Sequence, residues 1–289
     1  MSVFSSFATK NACPRPRLFL AGLILFVTTF TQTVAAQGDL LVTPKRVVFD
    51  GPKRSEDISL ANTGKDTASF VISMIQFRMT ENGSFEQIQT PDPEQLFAEP
   101  FLRIFPRQVT LAPNESQTIK VQLRKTAEMK EGEYRSHLYF RAVPKEKPLG
   151  EKSNLGDTTT IAVRLRPIYG ISIPVIVKVG TSDAQVLIDS LRLQQPVDAQ
   201  PTAQLTFHRS GNMSVYGDIA VNHISKEGKV TKVGIAKGFA VYTPNKVRNF
   251  VLPLDKSVPV DYRSGKLQVI YTDVSVKPAV LAEKEVSLR

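Results

Sequence analysis

Three histidines, one cysteine and a scatter of carboxylates are all that this 289-residue chain offers to bond-breaking chemistry. His137 lies in an alternating segment beside Arg135 and Arg141, where a structural hydrogen bond is expected of it in preference to catalysis. His208 and His223 stand 15 residues apart without ligand spacing, so no metal site is expected. A lone Cys13 excludes both a disulfide framework and a cysteine zinc cage. No nucleophile elbow, HExxH or phosphate loop is present, and no pair of acids stands out. The chain is therefore expected to be no enzyme and to need no cofactor. The residues whose spacing does suggest chemistry are Ile161, Val163 and Leu165, which alternate with Ala162, Arg164 and Arg166. That spacing makes a strand with one apolar and one partly cationic face. The chemistry it suits is recognition by pairing.

What must position such a strand begins with an address. Lys10, Arg15 and Arg17 precede an apolar stretch of 13 residues from Leu18 to Phe30, and small residues close the segment at Ala35-Ala36. This is the order of a secretory signal peptide, with cleavage expected after Ala36. The stretch is short of the roughly 20 residues that a spanning helix needs, so no membrane insertion of the mature chain is expected. Loss of residues 1–36 removes Cys13 and takes the net charge from +10 to +7. An exported chain without a thiol depends on packing alone and leans towards a bacterial origin. The positive balance fits several partners, but the basic residues form no run and no nucleic-acid motif, so nucleic acid is not expected.

From Asp39 onward the pattern has period two and almost no helical periodicity. Strands are expected over Leu40–Asp50, Ile58–Asn62, Ser69–Arg78, Val109–Leu111, Ser116–Leu123 and Tyr134–Arg141, separated by turns such as Asp50-Gly51-Pro52. Pro91–Leu102 has room for a helical turn that Pro93 and Pro100 keep short. Turn signals every 8 to 12 residues indicate an all-β sandwich. A polar loop is expected over Lys145–Asp157. A second strand-rich block follows from Val186 to Leu288, with Gly180–Asp183 as the hinge.

Between the blocks, alternation runs from Ile161 through Leu165 and resumes at Ile171, Ile173 and Val175. Strands average about 5 or 6 residues, so a stretch this long needs a reason. It is either two consecutive strands kinked at Pro167 or Gly170, or an edge offered to another chain.

Four stretches, in order, resemble the periplasmic pilus-assembly chaperones of the chaperone–usher pathway. They are Arg46–Gly51, Ile58–Asn62, Pro106–Pro113 and Gly132–Pro144, and the resemblance covers most of Asp39–Val177. It implies two immunoglobulin-like β-sandwich domains set at an angle: residues 37–179 with the donor strand, and residues 183–289. It implies binding of pilus or fimbrial subunits by donor-strand complementation, with Ile161, Val163 and Leu165 filling the subunit's groove, and delivery to an outer-membrane usher. It also implies a basic anchor for the subunit's C-terminal carboxylate, matched here by Arg46. The lysine usual at the end of the donor strand is missing from Ile168–Pro174, and Arg164 and Arg166 are the nearest substitutes. This departure, and the form of Gly132–Pro144, suggest a divergent, archaic-type branch. The competing reading is a two-domain secreted structural or adhesive surface protein whose long strand only closes its own sheet.

Overall fold

Seventeen strands and one short 3-10 turn account for the regular structure of the computed structural model, which describes residues 40–124, 127–144, 168–196, 199–274 and 278–288. The strands from the first part of the chain are β1 (Leu40–Thr43), β2 (Val47–Phe49), β3 (Ser55–Asn62), β4 (Ala68–Met79), β5 (Phe85–Ile88), β6 (Leu102–Phe105), β7 (Gln108–Leu111), β8 (Ser116–Leu123), β9 (Gly132–Val143) and β10 (Gly170–Val179). They form two sheets: β1-β3-β8-β6, and β2-β10-β9-β4-β5 with β7 also on β4. The alternation seen in the sequence sets the packing. In β8, Ile119, Val121 and Leu123 are buried while Gln117, Lys120 and Gln122 face water. With Ile58, Leu60, Leu111, Leu138, Phe140 and Val175 they make a core between the sheets.

The expected strand over Leu40–Asp50 is in fact two. β1 pairs antiparallel with β3 in one sheet, and β2 pairs in parallel with β10 in the other. The chain changes sheets across Pro44-Lys45-Arg46, where proline removes a ladder donor. Both pieces keep period two, so nothing in the apolar pattern marks the change.

The second part of the chain gives β11 (Gln185–Gln194), β12 (Thr202–Ser210), β13 (Val215–Ile224), β14 (Val230–Val241), β15 (Val247–Pro253), β16 (Lys266–Asp273) and β17 (Val280–Ser287). They pair as β11-β12-β15 and β14-β13-β16-β17 around a separate core that includes Phe207, Ile219, Val221, Leu267 and Tyr271. The protein is thus all-β, a pair of two-layer sandwiches. Among the described residues, no helix is long and apolar enough to cross a membrane.

Gly180–Asp183 joins the last strand of one sandwich to the first of the other. Gly180 has φ +80, which L side chains rarely adopt, and the Glu131 side chain lies where its Cβ would be. Only glycine turns the chain here without strain.

Candidate functional site

β9 supplies the floor of the site. Its even residues from Tyr134 to Phe140 enter the core, which turns Glu133, Arg135, His137 and Tyr139 to the opposite face. A solvated strand would expose that face, yet Glu133, Arg135 and His137 are all buried. Residues of the second sandwich cover Glu133 and Arg135, and the β4–β5 hairpin covers His137. The Glu133 carboxylate accepts the Ser214 backbone N–H at 2.9 Å and the Ser214 hydroxyl at 2.5 Å.

Arg135 lies with its guanidinium carbon 4.2 Å from the centre of the Tyr242 ring, and none of its three side-chain nitrogens has a hydrogen-bond partner. Burial lowers its pKa, an effect opposed by the negative charge of Glu133. His137 packs edge-on to Phe77 and Phe85, with ring centres 5.0 and 5.8 Å away, and its Nδ1 has no partner. The structural hydrogen bond expected of this histidine is absent at that atom, because aromatic edges occupy the space around the ring. Burial, then the positive charges of Arg135 and Arg46, pushes His137 down to a pKa of about 3. It stays neutral at ordinary pH.

Arg46 enters the same region from the segment between β1 and β2. It donates to the Tyr242 hydroxyl at 2.6 Å and stacks 4.0 Å above the Tyr216 ring. Tyr242 also packs with Met79, Ile176 and Ala240 in a small apolar cluster between the sandwiches. Beside the cluster is a cavity of about 490 Å³ whose lining includes Arg46, Lys178, Ser214, Tyr216 and Leu281. Lys178 pairs loosely with Asp50 at 3.7 Å.

Two sets of hydrogen bonds hold the surfaces together. At the β4–β5 hairpin, the Asn249 backbone N–H donates to the Glu81 carbonyl at 2.7 Å and the Asn245 amide to the Met79 carbonyl at 2.6 Å. Next to the linker, the Asn212 N–H donates to the Asp183 carboxylate at 2.7 Å, and Glu133 holds Ser214 close by.

β10 supplies the edge. One side is fully paired with β9, from Gly170 opposite Arg141 to Val179 opposite Gly132. On the other side β2 covers only Val175–Val177. Among the described residues, nothing pairs with Gly170–Pro174 along that edge. Gly170 is required by close approach, since a Cβ there would run into the Tyr139 ring. Ile168 and Tyr169, just before it, are 50% and 52% exposed. Ile171 and Ile173 face the core, on the odd parity shared by Ile161, Val163 and Leu165.

Of the expected carboxylate-anchor and donor-strand residues, Arg46 alone is among the described residues, and it lies at the junction of the sandwiches. Ile161, Val163, Leu165, Arg164, Arg166 and the polar loop over Lys145–Asp157 lie outside the described residues. Arg135 and Tyr242 were missed as site residues. The missing solvent face of β9 marks Arg135, but only once the second sandwich is in place.

These features, a two-sandwich all-β chain with a buried cationic face at the junction and a part-covered edge strand, define a class of binding protein. Residues 39–168 match the family model described as pili and flagellar-assembly chaperone, PapD N-terminal domain. The match covers most of the first sandwich, and the family it describes is one of chaperones. No curated protein matches the chain. Solved structures similar to it include the YadV chaperone, at 12% identity over 86% of this chain and 100% of that one, with a TM-score of 0.43. Another is the CsuC–CsuE chaperone–tip adhesion subunit complex of archaic chaperone-usher Csu pili from Acinetobacter baumannii, at 13% identity, 86% and 97% coverage and a TM-score of 0.42. A third is the Pseudomonas aeruginosa CupB2 chaperone, at 12% identity, 86% and 99% coverage and a TM-score of 0.39.

Proposed function

We propose that this protein is a periplasmic chaperone that captures pilus or fimbrial subunits by donor-strand complementation and passes them to an outer-membrane usher. The observation that carries this reading is the edge of β10, which no described residue pairs with over Gly170–Pro174, next to Arg46. An unpaired edge is an aggregation hazard unless a partner takes it, and strand addition is an established recognition mode. In this reading residues 1–36 are removed on export, residues 37–179 form the chaperone domain and residues 183–289 the second domain. Ile161, Val163 and Leu165 fill the subunit's open groove, each contributing roughly 1.5–3 kcal/mol on full burial. Main-chain hydrogen bonds along the same edge add directionality. Arg46 holds the subunit's terminal carboxylate, which a planar guanidinium can grip through two parallel bonds. Arg164 and Arg166 are further candidates for that contact.

The test is co-expression with a subunit encoded beside the gene. Ile161→Glu combined with Val163→Glu is expected to leave the protein folded and the subunit insoluble. A subunit that stays soluble and co-purifies with this variant would sink strand donation. Arg46→Ala is expected to weaken capture; unchanged binding would discard the carboxylate anchor while leaving donation intact.

A further inference from the structure

The second half of β4 leaves its sheet. Ser69–Ile75 pair with β9, whereas among the described residues Gln76–Met79 pair with β5 alone, so β4 and β5 end in a two-stranded arm. The turn of that arm rests on β15, an outer strand of the second sandwich. The Asn249 N–H is not spent on β12 and donates instead to the Glu81 carbonyl at 2.7 Å. Arg248, held with its guanidinium carbon 4.1 Å from the centre of the Phe239 ring, lies where a Cβ on Gly83 would be. Gly83 has φ +81, so the turn and its packing both require glycine. Behind the turn, Met79 is buried against Ile176 and Tyr242. Under the stem lies the His137 ring, covered by the edges of Phe77 and Phe85, with an unbonded Nδ1.

The geometry points to the β4–β5 hairpin as an acid-sensitive strap: closed, it pins the second sandwich to the first, and protonation of the histidine beneath it lets it lift. This goes beyond strand donation and does not depend on it. Every element around the ring disfavours a charge there. β9 sets Arg135 beside it and the segment before β2 sets Arg46, and both positive charges oppose another. Its cross-strand neighbours Ile75 and Pro174 are uncharged. The strap brings Phe77 and Phe85, while its own charges Arg78, Glu86 and Asp92 pair with one another. From the second sandwich, Tyr242 packs on Phe85. An imidazolium here needs water, and the strap is the way in: Phe85 is already 46% exposed and belongs to the arm, not to the sheet. Lifting breaks the contacts of Met79, Glu81 and Gly83 but spares those beside the linker, where Asn212 bonds Asp183 and Ser214 bonds Glu133. The linker end then becomes a hinge. Because the ring is disfavoured as a cation only while covered, opening should gain about tenfold per pH unit as pH falls below about 6.5.

The test is amide hydrogen exchange, read by NMR on the mature protein and corrected for the intrinsic rate at each pH. It compares Asn249 with Phe250, whose N–H turns into β12 opposite Leu205. Asn249 is expected to be the less protected throughout, and its protection to fall about tenfold per unit from pH 6 to pH 4. In His137→Phe that slope is expected to vanish. Equal protection of the two amides would make the arm part of the global fold and overturn the strap. A flat Asn249 profile, or an unchanged slope in His137→Phe, would overturn the acid trigger. Gly83→Val keeps the histidine and crowds Arg248, so it is expected to lower Asn249 protection at least tenfold at every pH and to spare Phe250. Unchanged Asn249 protection in that variant would also overturn the strap, whether or not His137→Phe folds.

Discussion

β9 and β13 each run through the interior of a sheet and alternate along their length, yet their outward residues meet different surroundings. In β13 the inward Ile219 and Val221 are buried, and the outward Asp218, Ala220 and Asn222 stay half exposed. β9 is buried on both faces from Gly132 to Leu138, with Glu133 bonded to Ser214, Arg135 against Tyr242 and His137 between Phe77 and Phe85. Glu133 is compensated by its two bonds from Ser214, but the Arg135 guanidinium and the His137 Nδ1 have no hydrogen-bond partner, and such groups are seldom buried so. Their presence on β9 therefore separates two roles of a strand. The inner face holds the sandwich together, and the outer face buries polar groups at a cost in stability.

The largest effects are expected where the two strands agree. Leu138→Ala and Ile219→Ala each remove a fully buried side chain and should each lower unfolding free energy by about 2–5 kcal/mol in urea titrations. A loss at one strand only would break the parallel between their inner faces.

The outer faces should then part company with pH. His137 has a folded-state pKa of about 3 against an ordinary value near 6.5. Between those values the unfolded chain binds a proton that the folded one does not, so stability should fall as pH drops from about 7 towards 3. The loss should be on the order of a few kcal/mol and should vanish in His137→Phe. Unfolding free energies measured across that window check it; an identical slope in His137→Phe would assign the acid sensitivity elsewhere.

A smaller effect is expected at Arg135. Arg135→Met replaces an unpaired buried cation with an apolar chain, so stability should rise or stay within about 1 kcal/mol, lost cation–π attraction offsetting relieved burial. A marked loss in thermal or urea unfolding would show the guanidinium to be structural. Smallest of all, Asn222→Thr on the outer face of β13 should change stability by no more than about 0.5 kcal/mol.

Where alternation meets one buried face, the sequence was readable almost residue by residue. Ser116–Leu123 became β8 with the boundaries and inward residues expected. Val280–Ser287 carries little apolar rhythm as a strand, because its Glu283, Lys284 and Glu285 are exposed on a sheet edge. The division of Leu40–Asp50 was hidden because both sheets bury every second residue. Arg135 looked like a residue of a solvated face, since its burial comes from a surface more than a hundred positions away in the chain. Arg46 could be found only through its Val-Val-Phe-Asp-Gly context, because a lone arginine carries no mark of the rings that receive it.

The change of sheets at Pro44–Arg46 acts as a ruler. β2 begins at Val47 and reaches along β10 only from Val175 to Val177. Had the chain crossed two residues earlier, its own backbone would have paired with the stretch now open. Among the described residues, the site of the crossing thus sets how many rungs of β10 stay unpaired on that side. Val47 takes the last occupied rung, opposite Val175, and Arg46 stands one residue beyond it. Under the proposed strand donation, the length and register of a guest would be measured by where the host's first strand gives way.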